Sequence, residues 1–287
     1  MSQFVVAIIK GGLGNQLFSY AAARAFAIRR KRELLIDDAS GFVRDGYGRS
    51  FRLDQFPIVG DPAPKRYRLG DPKGFKHKAV RSWNKLLPLS RRNYLAEKTG
   101  MPPEGLLGFR SDRRVLYLNG YWQREDYFID YADRIRLELE PPAFEKEENL
   151  ELEKELGSGP SVFVHIRRGA YSPKLTAGYY RTAIENARGS NPDSRFEVFG
   201  DDHEWAREYL GLKGKNVRFH DGDGSDELRD FRLMAACRHA IVANSSFSWW
   251  AAWLRPSPNK RVWTPANPGW PVQAASGWHK VPNELEA

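Results

Sequence analysis

Apolar residues in this chain fall into short dense runs that alternate with stretches of helical period. Phe4 to Ile9 is a bounded apolar run and reads as a buried strand. Gly11-Gly12-Leu13-Gly14-Asn15-Gln16 follows it. Leu17 to Arg30, rich in alanine, then reads as a helix, and Glu33 to Ile36 returns as a strand ending at Asp37-Asp38. That order is a complete β-loop-α-β unit, the building block of a parallel sheet. Residues 41–114 are rich in Pro, Gly and basic residues with weaker periodicity, which predicts short helices and loops. Arg114 to Leu118 predicts a strand running into Asn119-Gly120-Tyr121-Trp122-Gln123, and Tyr127 to Leu139 a helix closing at Pro141-Pro142.

Glu145 to Leu156 is strongly charged and helical, and Gly157-Ser158-Gly159-Pro160 breaks it. The domain boundary is expected there, giving an N-terminal domain of residues 1–157 and a C-terminal domain of residues 158–287. A second alternation comes after it: strand 161–166, helix 178–188, strand 195–199, helix 203–210, a strand near 216–219, helix 225–236, a strand near 239–243 and helix 247–254. The expected class is α/β, as two such domains facing across a cleft at the carboxyl ends of their strands.

Composition narrows the class. With 287 residues, 41% hydrophobic, nine Trp and sixteen Phe, the chain can bury a substantial core. A single cysteine, Cys237, excludes an intramolecular disulfide and a cysteine-based zinc site, and fits a reducing compartment. No basic n-region precedes the first apolar run, and no stretch is long enough to span a bilayer, so a cytoplasmic protein is expected. Charge is uneven. Between residues 65 and 92 stand ten Lys or Arg against one acid, Asp71, within a net charge of +9. Such a segment faces a polyanion or serves as a solvated, solubilising surface.

The first candidate site is Val164-His165-Ile166-Arg167-Arg168-Gly169, where a buried strand ends in two guanidinium groups. Arginine keeps its charge and grips phosphate bidentately, so its natural partner at a strand's carboxyl end is a phosphate or diphosphate. An ordinary surface pair has the same local sequence. The glycine loop at 11–16 follows a strand and opens a helix, but Leu17 stands where the dinucleotide fingerprint needs its third glycine, and no Gly-Lys-Ser/Thr follows. It remains a turn whose backbone can approach a ligand, with Asn15 and Gln16 as amide donors.

Asp201-Asp202, just past a strand, suits acceptors for a nucleobase or ribose, or a helix N-cap at His203. Asp221-Gly222-Asp223-Gly224-Ser225-Asp226 departs from a calcium loop at its sixth and twelfth positions and reads as a turn with a helix cap. Asn244-Ser245-Ser246-Phe247 opens an aromatic helix, a setting suited to phosphate oxygens, and its tryptophans 249, 250 and 253 read as core.

Six stretches carry a resemblance: 11–27, 47–56, 119–128, 164–171, 196–205 and 233–254. In that order, over nearly the whole chain, they resemble the bacterial α-1,2-fucosyltransferases of glycosyltransferase family 11. The resemblance implies a GT-B type fold of two Rossmann-like domains, the C-terminal one holding the GDP-sugar donor and the N-terminal one the acceptor. It implies transfer of L-fucose from GDP-fucose, with inversion, to the 2-hydroxyl of a β-galactoside in a surface glycan such as O-antigen.

Within that pattern Arg167 would clamp the diphosphate and stabilise the leaving group. His165 and Arg168 would support it, Asn15 and Gln16 would reach the donor from the other domain, and Asp201 or Asp202 would read guanine or ribose. Asn244, Ser245, Ser246 and Phe247 would line the diphosphate and sugar. Ala170 departs from the family's Asp after the glycine. No metal cluster is apparent, so no metal or other cofactor is expected. The general base is unassigned among Asp37, Asp38, Glu125 and Asp126. The expected partners are a sugar nucleotide and a glycan. Peripheral contact with the anionic inner face of the cytoplasmic membrane through residues 65–92 is expected as well. Oligomeric state is open. Three alternatives stand beside this reading: another GDP-sugar or linkage on the same scaffold, an inactive GDP-fucose-binding relative, and a basic nucleic-acid-binding protein.

Overall fold

The computed structural model describes residues 2–98, 101–169, 174–221, 227–266 and 272–283. The chain divides into two compact units, Met1–Glu140 and Pro141–Ala287. In the first unit the elements run β1 (Phe4–Ile8), α1 (Leu13–Arg29), β2 (Glu33–Asp37), β3 (Asp61–Pro62), α2 (Phe75–Leu86), β4 (Tyr94–Ala96), α3 (Glu104–Leu107), β5 (Val115–Asn119) and α4 (Ala132–Glu138). Its five strands pair in parallel in the order β3-β2-β1-β5-β4. Helix α1 is buried along most of its length because Ala21, Ala22, Ala23, Ala25 and Ala27 let its backbone lie close to its neighbours. Its polar residues are matched: the Tyr20 hydroxyl donates to Glu138 Oε2 at 2.6 Å, and Arg24 reaches Glu138 Oε1 at 2.8 Å. The expected helix from Tyr127 is shorter, since two 3₁₀ turns occupy 125–127 and 129–131 before α4 begins.

The second unit runs α5 (Glu147–Ser158), β6 (Ser161–Ile166), α6 (Ala177–Ser190), β7 (Arg195–Gly200), α7 (His203–Tyr209), β8 (Val217–Phe219), α8 (Glu227–Ala236), β9 (His239–Ile241), α9 (Ser246–Leu254), β10 (Val262–Pro265) and β11 (His279–Val281). Its six parallel strands are ordered β11-β10-β9-β6-β7-β8. Counted from β6 this is the 3-2-1-4-5-6 order of a doubly wound nucleotide-binding sheet, with the reversal between β6 and β9. Strand β6 is central and fully buried, as its unbroken apolar run requires. Trp249, Trp250 and Trp253 are buried in α9, the core role expected of them.

The division at 140/141 lies before the expected boundary at 157. Helix α5 belongs to the second unit because α8 holds it: Arg229 Nε donates to Asn149 Oδ1 at 3.0 Å, and Arg232 pairs with Glu153 at 3.0 Å. The Gly-rich break at 157–160 is therefore a helix-to-strand turn inside a unit. Strands β3, β4, β10 and β11 are not expected from the sequence; each has at most four residues, too few to show an alternating pattern.

Gly200 ends β7 at φ +134°, and a Cβ there would lie 2.0 Å from the carbonyl oxygen of Ile166. Gly200→Ala is expected to destabilise the second unit by at least about 2 kcal/mol through strain and displacement of β6. A melting temperature within a degree of the parent's would contradict this.

Candidate functional site

Both sheets place their sequence motifs at the carboxyl end of the strands, beside the reversal of strand order. In the second unit the loop after β6 carries Arg167, Arg168 and Gly169, and the loop after β9 carries Asn244 to Phe247. Pairing of Val164 with Ile241 brings the two loops together, and the His165 and Phe247 rings meet at 5.8 Å between centroids.

Asp201 organises the first of these loops. Arg167 Nη1 donates to Asp201 Oδ2 at 2.7 Å, the Arg168 amide to Oδ1 at 2.7 Å and the Gly169 amide to Oδ2 at 3.2 Å. The Asp201 amide in turn donates to Ile166 O at 3.2 Å, an approach that only a glycine at 200 permits. A carboxylate accepting a guanidinium and two backbone amides makes charge-assisted bonds, stronger than neutral ones. Asp201 is therefore placed to hold the arginine loop, which is a different task from the base or ribose reading expected of it. Asp202 takes the alternative the sequence offers: its Oδ1 accepts from the Trp205 amide at 3.1 Å and caps α7. Ala170 lies outside the described residues. Orientation of Arg167 rests here on Asp201.

The two arginines differ. Arg168 lies over the Trp205 ring at 3.8 Å, donates to Leu175 O at 3.1 Å and is 11% exposed. Guanidinium stacking of this kind is worth about 1 kcal/mol and fixes the group in the wall of the site. Arg167 is 34% exposed, and Asp201 engages its Nη1. His165 is buried, and burial together with the nearby Arg167 charge pushes its imidazole down to about 3. It is thus a neutral ring packed on Phe247, which itself packs on Phe231 at 5.2 Å. Asn244 is buried, and Ser245 caps α9 by accepting from the Phe247 amide at 3.3 Å, while Ser246 and Phe247 are half-buried.

In the first unit the reversal lies between β1 and β5. Lys10 Nζ donates to Asn119 Oδ1 at 2.8 Å, and Gln123 Nε2 to Asn15 Oδ1 at 2.7 Å. Gln16 does not present its amide as expected. It is fully buried, donating to Gly11 O and Ser50 O at 2.8 Å each and accepting from the Arg52 amide at 3.0 Å. It ties the 50–52 segment to the glycine turn. The carboxylates weighed as bases are also engaged. Asp37 is buried and accepts from the Ser40 amide at 2.9 Å, Asp38 faces Arg68 at 2.9 Å, and Asp126 pairs with Arg124 at 2.9 Å. Glu125 sits in the 3₁₀ turn at 125–127.

Glu97, which no sequence motif marks, sits just after β4. Its carboxylate accepts from the amides of Tyr121 at 2.7 Å and Trp122 at 3.0 Å. Trp122 has φ +55°, an uncommon conformation for a bulky residue, and Glu97 holds it there. The short β4 gives no signal that a carboxylate arrives at this point. Burial lowers the Lys10 ammonium below its ordinary range, with the Glu97 charge opposing the shift. Among the described residues no group of three or more His, Cys, Asp or Glu side chains is placed to hold a metal ion.

Residues 108–271 match the model of glycosyl transferase family 11. The chain belongs to that family. It is 31% identical over 263 residues to the Escherichia coli alpha-1,2-colitosyltransferase, covering 88% of this chain and 87% of that protein. It is 30% identical over 286 residues to the Escherichia coli O-antigen biosynthesis glycosyltransferase WbnK, covering 90% and 92%. Among solved structures, the Bradyrhizobium fucosyltransferase NodZ aligns with a TM-score of 0.52 at 18% identity, covering 89% of this chain and 94% of that one. A point mutant of Arabidopsis thaliana FUT1 in complex with GDP aligns with a TM-score of 0.52 at 13% identity, covering 88% and 68%. The fold of this family 11 chain is therefore GT-B, as expected. The elements from β6 to α9, which carry the arginine loop and its neighbours, lie inside the family match.

The neutral state of His165 has a pH consequence. Its folded pKa, about 3, lies below the ordinary 6.5, so between those values the unfolded chain binds a proton that the folded one does not. Stability from this position is complete above pH 6.5 and falls as pH drops, by up to about 1.4 kcal/mol per pH unit. His165→Phe should flatten the loss of stability on acidification, read from denaturant melts across that window. An unchanged slope would refute burial of a neutral ring.

Proposed function

We propose that this family 11 chain is an inverting, metal-independent glycosyltransferase that moves L-fucose from GDP-fucose to the 2-hydroxyl of a β-galactoside in a surface glycan. The observation that carries the reading is an arginine, Arg167, held by Asp201 at the reversal point of a nucleotide-binding sheet. Its support comes from the family membership and from relatives named for α-1,2 transfer and for O-antigen synthesis. In the reaction the bond from the sugar's anomeric carbon to the diphosphate oxygen breaks, and its electron pair stays on GDP. The acceptor 2-hydroxyl oxygen attacks that carbon from the opposite face, which inverts it, and the hydroxyl proton passes to solvent water.

Charge develops on the departing diphosphate, so a guanidinium fixed beforehand stabilises the transition state without reorganising. Arg167 fills that role because it is charged at all working pH and already oriented by Asp201. Arg168, stacked on Trp205, sets the position of the loop rather than meeting the phosphates with its full fork. His165, neutral and buried, contributes shape beside Phe247 and no charge. The acceptor falls to the first unit, where Lys10, Asn119 and the Glu97-held turn line the carboxyl edge of the sheet. No carboxylate there is assigned as base, and a dissociative transition state makes little demand on one.

A second reading is another GDP-sugar of the same 6-deoxy class, favoured by the colitosyltransferase relative. GDP release measured over a panel of GDP-sugars with β-galactosides, followed by linkage analysis, separates the two. Turnover of GDP-fucose to an α-1,2 product supports the proposal, and turnover of a different donor alone replaces it.

Arg167→Ala should lower turnover by roughly 10²–10³, the usual effect of removing one oxyanion-stabilising donor. Parent activity should survive EDTA. Near-normal turnover of the variant would overturn the role of Arg167, and loss of parent activity in EDTA would overturn metal independence.

A further inference from the structure

Helix α2 turns the polar side chains of His77 and Asn84 inward on either side of Val80, which packs on the core of the first unit. Asn84 is buried: its Nδ2 donates to Tyr94 O at 2.7 Å, and its Oδ1 accepts from the amides of Asn93 at 2.8 Å and Tyr94 at 3.1 Å. His77, also buried, meets the Tyr94 hydroxyl at 3.2 Å. These contacts fasten the helix to β4, the edge strand of the first sheet, and fix its rotation. At about 100° per residue the opposite stripe is Phe75, Ala79, Trp83 and Leu86, spaced by four, four and three. That stripe faces solvent. Phe75 is 90% exposed, Leu86 79% and Trp83 64%, and Leu89 just beyond the helix is 64% exposed.

A globular protein gains by turning such a stripe toward its core, so a stripe left uncovered by the described residues marks an interaction surface. Charge identifies the cover. Lys76 flanks the stripe on one side and Lys78 and Lys85 on the other, and the whole segment 65–92 has ten cations to one acid. Its one acid, Asp71, is held by Arg44 at 2.6 Å. Phe, Trp and Leu on one face with lysines along its margins is the pattern of a helix lying in a lipid interface. There the stems of Lys78 and Lys85 run along the apolar surface and their ammonium groups meet lipid phosphates, while Lys76 Nζ donates to Arg66 O at 2.9 Å.

We propose that α2 and Leu89 dock this chain onto an anionic bilayer surface, with Phe75, Trp83 and Leu86 entering the acyl boundary. Nucleic acid would use the cations, and single strands could stack on Phe75 and Trp83, but it would leave Leu86 and Leu89 uncovered. A second copy of the chain would bring like charge against like. Among the described residues no helix is long and apolar enough to cross a membrane, so this contact is peripheral. The inference holds whatever the donor sugar is.

The test uses the full chain and flotation with vesicles of phosphatidylcholine containing about 30% phosphatidylglycerol at physiological salt. The parent should float with these vesicles and not with pure phosphatidylcholine. The triple variant Phe75→Ser, Trp83→Ser, Leu86→Ser should keep the parent's circular dichroism and GDP binding while its vesicle partition falls by at least about tenfold. Lys78→Glu with Lys85→Glu should lose the anionic preference. Failure of the parent to float, or equal flotation of the triple variant, would overturn the proposal. Two other results would also overturn it: binding of a DNA duplex that the triple variant retains and vesicles do not displace, or a concentration-dependent dimer in sedimentation that the triple variant abolishes. Since GDP binding is read separately, loss of the donor assignment would leave this result standing, and the reverse.

Discussion

The second unit turns on one carboxylate. Two arginines in succession at the end of a buried strand repel each other, and a loop carrying them tends to splay toward water. Asp201 reverses that tendency by accepting from one guanidinium and from the two amides that follow it. The geometry needs Gly200, because only a residue without Cβ lets β7 come so near the end of β6. Cation orientation, loop shape and strand register are thus one constraint. The preorganisation is of the kind that electrostatic stabilisation of a leaving group requires, since charge fixed in advance does not have to be gathered at the moment of reaction.

The same logic repeats in the first unit with different chemistry. There Glu97 accepts from the amides of Tyr121 and Trp122 and holds Trp122 at a positive φ. In both units a carboxylate delivered by one strand shapes the loop after its neighbour, beside the point where strand order reverses. At such a point the loops of adjacent strands diverge and leave a crevice, so backbone amides there lack a neighbouring strand to accept from them. A carboxylate is the compact answer, satisfying two or three donors at once. What differs is the residue each loop offers: a half-exposed arginine in the second unit, and a lysine with amides and aromatic rings in the first.

Much of this is legible in the chain, and the exceptions have physical causes. Long, strongly patterned elements such as β6 and α9 stand where their periodicity puts them, the paired arginines end β6 as expected, and α1 begins at Leu13, four residues before the expected start, so that Asn15 and Gln16 lie in its first turn. The role of Asp201 is hidden because a residue past a strand end can face a ligand or the adjacent loop, and only the register of β6 against β7 decides. Gln16 departs from expectation for a similar reason: a helix N-terminus beside a glycine turn suits a ligand, but the 50–52 segment, distant in sequence, occupies its amide. The boundary at 157 fails because glycine and proline mark any change of direction. Bonds to α5 from residues far along the chain, from α8 to Asn149 and Glu153 and from Arg195 and Arg218 to Glu155, show that it belongs to the second unit.

Helix α2 is the instructive disagreement. In α1, β6 and α9 local pattern and fold agree, with apolar residues turned inward. In α2 the apolar-inward rule is inverted, with Asn84 and His77 inside and Phe75, Trp83 and Leu86 outside. Such an inversion is not an accident of a weak helix, because Asn84 makes three bonds to a strand edge that any apolar residue would leave unsatisfied. Sequences that break a folding rule and then stabilise the breach with dedicated hydrogen bonds are doing so for something outside the fold. The breach lies within residues 65–92, which carry ten cations and one acid, and the proposal of an anionic, lipid-bearing partner rests on that coincidence of an exposed apolar stripe with basic charge.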